Sequence, residues 1–180
     1  AGGPEHTKKI IPFSSNDSNN PEDLWSFLEW YIETTGSGVI SIPHNSNLSG
    51  GKMFASETFG GLPLTKGYAL TRSSIEPVVE VTQIKGDSET HPLLSPHDEF
   101  ASFEDAWWDV VSSYRSKNSS SVSEKKIAQR SFVRAALKTG LDQQADIAVN
   151  PFKFGMIGST DSHTGLATAD ENNFWGKMAT

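Results

Sequence analysis

The sequence predicts an α/β fold, in which parallel strands are joined by crossover helices. Three short segments, 39–42, 77–85 and 154–158, are rich in the apolar and β-branched residues of buried strands. Segment 21–35 precedes the first of them and segment 124–138 lies between the second and the third, and both carry apolar residues at helical spacing. Strands that alternate with helices pair in parallel. Three strands are few for a closed α/β barrel, which usually needs roughly 200 residues, so we expect an incomplete or unusual version of one.

Composition and charge exclude several classes of protein. The 180 residues are 36% apolar and 21% charged, which is typical of a globular chain. A net charge of −7 without a basic stripe argues against a nucleic-acid partner. No apolar run approaches the roughly 20 residues that cross a membrane. The absence of Cys excludes disulfides and Cys nucleophiles, and it leaves the compartment open between cytoplasm and periplasm.

We expect residues 1–180 to form a single α/β domain or part of a larger one. Residues 1–20 are polar and turn-rich, which predicts a flexible leader. In the clearest helix, Asn20 is suited to the amino-terminal cap and Gly36 to the stop. The Ser-rich tract 116–123 predicts a mobile surface loop.

Weaker patterns predict further helices. They cover 64–74, 102–114 and 141–149, and Gly140 is expected to end the helix over 124–138.

Two of the predicted strands end in residues that can bind metal ions. His44 follows the first strand, and Asp161 and His163 follow the third. The ligand site of parallel α/β folds lies beyond the carboxyl ends of the strands, and residues two apart in an extended chain point to the same side. A carboxylate and an imidazole there form a reasonable half-site for Zn, Mn or Fe. The alternative is that Asp161 caps the following turn and His163 is a surface residue.

Glu80 and Lys85 are the other notable residues of the second strand. A carboxylate inside a strand is costly to bury unless it is paired or bound to a cation. The sequence therefore leaves open a cation site, an edge strand with Glu80 in solvent, or an ion pair with an arginine such as Arg72 or Arg134. Lys85 is placed to hold an anionic substrate group, or it is a plain surface lysine.

Other candidate sites are weaker. Asp87, Glu89 and His91 alternate in the loop after the second strand, with His97 and Asp98 further on, which suggests a second cation site or a solvated acidic loop. No Gly-x-Ser-x-Gly elbow, phosphate loop or dinucleotide fingerprint supports a serine hydrolase or a nucleotide-binding protein.

Several segments resemble a bacterial family without an assigned activity, domain of unknown function 3604. They are PEDLWSFLEWY (21–31), IPHNSNLSGGKMFA (42–55), EPVVEVTQIKGDSETHPLLSPHDEF (76–100) and NPFKFGMIGSTDSHTGLATADENNFWGK (150–177). That family is similar in turn to the polymerase and histidinol phosphatase (PHP) superfamily of metal-dependent phosphoesterases. This second likeness is carried by His44 at a strand end and by the pair Asp161 and His163.

The resemblance implies part of a (β/α)7 PHP-like barrel with up to three divalent metal ions (Zn, Mn or Fe) at the strand ends. There, metal-bound hydroxide would attack a phosphate ester. By this likeness His44, Asp161 and His163 would be metal ligands, Glu80 a ligand or base, and Lys85 a contact to a small anionic substrate. The superfamily's first-strand His-x-His is absent from these residues, so the chain resembles a carboxyl-terminal portion, incomplete at the amino-terminal side.

Two functions of different classes remain open at this point. The first is a metal-dependent hydrolase, a phosphoesterase, of which this chain carries the later strands; hydrolysis of another ester or an amide is a weaker variant. The alternative is a catalytically inactive PHP-derived fragment that serves as a binding or assembly module and holds no metal. Open sheet edges favour self-association, so we also expect a homo-oligomer.

Overall fold

The computed structural model describes residues 10–105, 123–158, 160–161 and 172. The helices and strands are, in chain order, α1 (Pro21–Thr35), a 3-10 turn (Ser46–Leu48), α2 (Lys66–Ile75), β1 (Val78–Gln83), β2 (Gly86–Asp87), α3 (Glu124–Gln129), α4 (Val133–Ile147) and β3 (Gly155–Gly158). Among the described residues, no helix has the length and hydrophobicity that crossing a bilayer requires. The predicted leader before residue 10, most of the predicted helix over 102–114, the loop over 116–122 and His163 lie outside them.

The strands form a small open sheet in the order β2–β1–β3. β1 and β3 pair in parallel, from Val78 opposite Gly155 to Thr82 opposite Gly158. β2 adds a short antiparallel strand to the other side of β1. The mixed α/β architecture and the parallel pairing of the two predicted strands are therefore confirmed, with three strands in the part of the chain that the structure describes.

Helix α1 begins and ends where the sequence signals lie. The side chain of Asn20 accepts a hydrogen bond from the backbone of the first turn, and Gly36 ends the helix with a φ of 63°. On the inner face of α1, Trp25 and Leu28 are buried in one cluster with Ile75 at the end of α2. This packing holds α1 against α2, and both helices confirm the sequence prediction.

The main core lies between β1, α4 and the segment before β3. Phe54, Val79, Val133, Phe152 and Phe154 are buried together there. The rings of Phe54 and Phe152 meet edge to face, with centroids 5.6 Å apart. Burial of each large apolar side chain contributes about 1.5–3 kcal/mol, so this cluster is what fixes α4 on the sheet.

The buried strand predicted over 39–42 is wrong. This segment does not form a strand, and Ile40 and Ile42 are 51% and 38% exposed. Just beyond it, the Pro43 carbonyl accepts a hydrogen bond from the backbone of Glu80 in β1 at 3.0 Å. β-branched residues indicate a fit to a pleated surface, but they cannot show whether the sheet extends far enough to receive them.

The helix predicted over 124–138 is two helices, α3 and α4. The break contains Ser131, whose buried hydroxyl accepts a hydrogen bond from Gly51 N at 2.8 Å. Gly140 does not end the second helix, because α4 continues through it to Ile147 and includes part of the separate helix predicted over 141–149. A Cβ at Gly140 would lie 2.1 Å from Asn150 Oδ1, so the glycine serves close packing rather than termination.

Candidate functional site

Polar side chains gather where β1 and β3 end. We call this group the strand-end cluster; its members are Asn45, Glu80, Gln83, Lys85 and Asp161. Because β1 and β3 are parallel, their carboxyl ends meet at the same edge of the sheet. Beyond that edge, the backbone N–H of Ile84 donates to Thr160 O at 3.3 Å, which keeps the two outgoing segments side by side.

Gln83 joins the two carboxylates of the cluster. Its amide nitrogen donates to Glu80 Oε2 at 3.3 Å and to Asp161 Oδ2 at 2.8 Å. Its amide oxygen accepts a hydrogen bond from Lys85 Nζ at 3.2 Å. A single amide group therefore contacts both acids and the ammonium group, so the three charged side chains form one continuous network.

Glu80 is a buried carboxylate held by uncharged donors. It is 5% exposed, and its Oε2 accepts hydrogen bonds from Asn45 N and from the Gln83 amide, each at 3.3 Å. The alternatives of a solvent-exposed Glu80 and of an ion pair with Arg72 or Arg134 are both wrong, since each arginine pairs with other acids in the described residues. A buried carboxylate that has no direct countercharge within the described part of the chain favours the approach of a cation.

Lys85 and Asp161 form an ion pair at the mouth of the cluster. The Lys85 ammonium contacts Asp161 Oδ2, and the two side chains are 26% and 27% exposed. Asp161 has a φ of 45°, a left-handed conformation that few residues other than glycine adopt. The assumption that Asp161 lies in an extended chain, on which its alignment with His163 was predicted, is therefore wrong, because this φ is not that of an extended residue.

The backbone on both sides of His44 contacts Glu80. The Pro43 carbonyl accepts from Glu80 N, and Asn45 N donates to the Glu80 side chain. The exposed His44 ring has its Nδ1 atom 3.2 Å from Ile42 O. A carbonyl only accepts, so this contact is a hydrogen bond when Nδ1 carries the hydrogen; the tautomer with the hydrogen on Nδ1 has its lone pair on Nε2, the usual arrangement of a metal-binding histidine.

The donor set fits a divalent metal ion chemically. It consists of the His44 imidazole and the Glu80 and Asp161 carboxylates. Asn45, whose backbone N–H contacts Glu80, also has a buried Oδ1 without a hydrogen-bond partner among the described residues. Leaving such an oxygen unpaired costs about 1–3 kcal/mol. Amide and carboxylate oxygens with an imidazole nitrogen are common ligands of divalent ions.

The donors are not drawn together into a ligand shell. No group of three or more His, Asp or Glu residues close enough to hold a metal occurs within residues 10–105, 123–158 and 160–161. Asp161 is bound by Lys85, and His163, the third predicted ligand, lies outside the described residues. A metal ion bound through Asp161 Oδ2 would therefore compete with the Lys85 ammonium.

The acidic loop after β2 is organised by an arginine rather than around a cation site. Arg134 pairs with Glu89 at 2.5 Å and with Asp98 at 2.7 Å. These hydrogen bonds raise the pKa of Arg134 and lower the pKa of Asp98. Burial raises the pKa of Asp87, although its carboxylate accepts backbone hydrogen bonds from Glu89 and Thr90. Helix α4, through Arg134, thus supplies the countercharge of this loop.

Sequence analysis missed Asn45 and Gln83. In a regular strand Glu80 and Gln83 point to opposite faces, since they are three residues apart. The pairing of β1 with β3 is irregular between Glu80 and Thr82, which brings both side chains to the same cluster. Asn45 has a φ of 54°, and its position directly after Pro-His was the available signal for a turn there.

The fold and the cluster define an α/β protein with two carboxylates, a bridging amide and a lysine at the carboxyl ends of parallel strands. The chain belongs to the family described as protein of unknown function (DUF3604), whose model matches residues 2–180. The resemblance of the sequence to that family is thereby confirmed. No curated protein and no solved structure matches the chain.

Proposed function

We propose that this chain carries the later strands of a PHP-like, metal-dependent hydrolase that acts on phosphoesters. The single observation that carries the proposal is the buried Glu80 carboxylate. It is hydrogen-bonded to the backbone next to His44 and is linked through Gln83 to Asp161. These residues lie at the carboxyl ends of parallel strands, where α/β enzymes bind their ligands. We further propose that the complete domain is a (β/α)7 barrel and that this chain is its carboxyl-terminal portion.

The proposal assigns a role to each residue. His44, Asp161 and His163 hold a divalent ion (Zn, Mn or Fe), and Glu80 is a further ligand or the base. A bound metal ion lowers the pKa of water and neutralises charge on a phosphoryl group. Asn45 and Gln83 keep the Glu80 carboxylate in place through their hydrogen bonds.

Lys85 is proposed to change its binding partner when a metal ion binds. Its ammonium is bound to Asp161, in a pair about one quarter exposed. One carboxylate oxygen cannot serve a lysine and a metal ion equally well, so Lys85 leaves when Asp161 takes up a cation. The free ammonium then lies at the mouth of the cluster, where it can bind the anionic group of a small substrate.

The Lys85–Asp161 pair also favours a second candidate function. It neutralises Asp161 from within the chain, so the cluster is stable as a purely structural network. An inactive PHP-derived fragment that serves as a binding or assembly module would retain such a network for folding. The absence of a His-x-His from this sequence agrees with that alternative.

Metal analysis separates the two functions. We expect protein purified without chelators to contain close to one divalent ion per chain, and the His44→Ala/Asp161→Ala variant to contain almost none. Lys85→Met is expected to hold at least as much metal as the unchanged chain, because it removes the competing ammonium. His97→Ala/Asp98→Ala, which removes the same residue types from the acidic loop, is the matched control and should leave the content unchanged.

Near-zero metal in all four proteins, after incubation with Mn²⁺ or Zn²⁺ and removal of the excess, would contradict the hydrolase and support the module. Equal binding by the unchanged chain and the His44→Ala/Asp161→Ala variant would place the metal elsewhere and would equally contradict the assignment.

The exposed strand β3 supports the proposed homo-oligomer. All four of its residues are exposed, including Met156 at 53% and Ile157 at 39%, and it ends the sheet in the described part of the chain. Unprotected edge strands pair with other chains. We expect light scattering at micromolar concentration to show a dimer or larger species, and Ile157→Lys to shift it toward monomer; a monomer before substitution would refute the prediction.

A further inference from the structure

A cavity of about 830 Å³ lies apart from the strand-end cluster. It is bounded by segment 13–21, the first turn of α1, loop 49–61 and one face of α2. None of the five members of the strand-end cluster lines it. Its volume is within the range of roughly 300–1,000 Å³ that is typical of small-molecule sites.

Much of the cavity wall is apolar. The side chains that supply this surface are Phe13, Leu24, Met53, Phe59 and Tyr68. Tyr68 also packs edge to face on Trp25, with ring centroids 5.1 Å apart, so its ring has a fixed position. Burial raises the pKa of Tyr68, which keeps its hydroxyl neutral. This part of the wall suits a flat, apolar body.

The buried ion pair of Arg72 and Glu76 in the wall is electrically neutral. Arg72 Nε donates to Glu76 Oε2 at 2.9 Å, and the two side chains are 5% and 7% exposed. The second Glu76 oxygen accepts from Trp25 Nε1 at 2.9 Å, and Arg72 Nη2 donates to Met53 O at 2.7 Å. Since both groups are satisfied inside the protein, this pair contributes no net charge to a ligand.

The remaining charges leave the wall positive. Arg130 pairs with Glu57 through Nη2 at 2.6 Å, but its Nε is buried and has no acceptor among the described residues. Lys52, on the same loop as Glu57, is exposed and has no ion pair in the part of the chain that the structure covers. Lys52 therefore accounts for the surplus charge, because Arg130 is paired with Glu57 and its buried Nε is not accessible to a ligand.

The amino-terminal end of α1 does not compete for an anion. Asn20 caps the helix, and Glu22 and Asp23 occupy its first turn, where they already offset the positive end of the helix dipole. An anionic group in the cavity is therefore directed toward Lys52.

We propose that this cavity binds a small organic monoanion. Its flat apolar body lies against Leu24 and Tyr68, and its single carboxylate- or sulfonate-type group binds Lys52. The site is independent of the proposed hydrolase, because it shares no residue with the strand-end cluster.

Two dyes with the same ring system test the proposal. 1-Anilinonaphthalene-8-sulfonate carries one negative charge, and N-phenyl-1-naphthylamine lacks it. Fluorescence titration of the full chain is expected to show binding of the sulfonate at least about tenfold tighter than that of the neutral dye, as a charge-assisted hydrogen bond implies. Lys52→Met should remove this preference without weakening the neutral dye, and Lys153→Met, another exposed lysine, should preserve it.

Ala55→Trp tests the location of the site. Ala55 lines the cavity, and an indole there should prevent binding of both dyes. Circular dichroism confirms that the variant is folded, which matters because partly unfolded chains bind such dyes more strongly. Equal affinity for the two dyes, a preference that survives Lys52→Met, or a folded Ala55→Trp protein that binds both dyes would overturn the proposal. If Ala55→Trp does not fold, the two-dye comparison with Lys52→Met still tests the proposal, because Lys52 is exposed and its substitution is not expected to disturb the fold.

Discussion

Glu80→Gln is expected to lower the hydrolysis of p-nitrophenyl phosphate in the presence of Mn²⁺ by at least about 100-fold, the usual effect of removing a general base. Both hydrogen bonds to this side chain end on Oε2, so a glutamine oxygen in that position can accept from Asn45 N and from the Gln83 amide. The substitution therefore removes the negative charge and the base while the shape and contacts are retained.

Metal content measured on the same samples distinguishes the two roles proposed for Glu80. If the metal is lost together with the activity, Glu80 is a ligand; if metal is retained and only the rate falls, it is the base. Glu89→Gln, at an exposed carboxylate of the acidic loop, is the matched control and should stay within about twofold of the unchanged rate, since surface charges contribute little. Full activity of Glu80→Gln would contradict the assignment, and inactivity of the metal-loaded unchanged chain would favour the module.

Arg72→Met is expected to lower the free energy of unfolding by about 3–5 kcal/mol, the usual cost of leaving one charge of a buried pair alone. Glu76, 6% exposed, would lose its countercharge. The Arg72 guanidinium also donates to Met53 O and lies 5.5 Å from the Trp25 ring centroid and 4.8 Å from that of Phe152. Urea unfolding followed by tryptophan fluorescence measures the change.

The double variant Arg72→Met/Glu76→Gln provides the internal control. Because it removes both charges, it should recover a large part of the lost stability, as expected when a buried pair is replaced by neutral groups. Arg134→Met, which removes an exposed arginine with two carboxylate partners, should cost no more than about 1 kcal/mol. A cost for Arg72→Met as small as that for Arg134→Met would show that the pair does not stabilise the fold.

Where sequence prediction succeeded, its signals were local. The cap at Asn20, the stop at Gly36 and the apolar stripe between them define α1 within one stretch of chain. The β-branched run of β1 and the apolar residues of segment 154–158 mark the two strands that pair in parallel. Glu80 and Lys85 stood out for the same reason, because a charge in or beside a buried strand is unusual whatever surrounds it.

The irregular parts of the site depend on distant partners. Asp161 accepts hydrogen bonds from Lys85 and Gln83, which lie 76 and 78 positions earlier in the chain. No local sequence pattern indicates these pairings. Gln83 reaches the same cluster as Glu80 only because the pairing of β1 with β3 is irregular. A local pattern predicts which face a side chain takes in a regular strand, but an irregularity is set by the packing of both strands.

The amino-acid sequence alone determined the family, the positions of α1 and α2, the two parallel strands and the presence of unusual charges at their ends. Tertiary structure decided that segment 39–42 stays outside the sheet, that Lys85 binds Asp161, and that Arg72 and Glu76 form a neutral pair in the wall of a separate cavity. The physical reason is the distance along the chain over which each kind of interaction acts. Caps, periodicity and β-propensity act over a few neighbouring residues, whereas burial and charge pairing arise only when segments far apart in the chain are packed together.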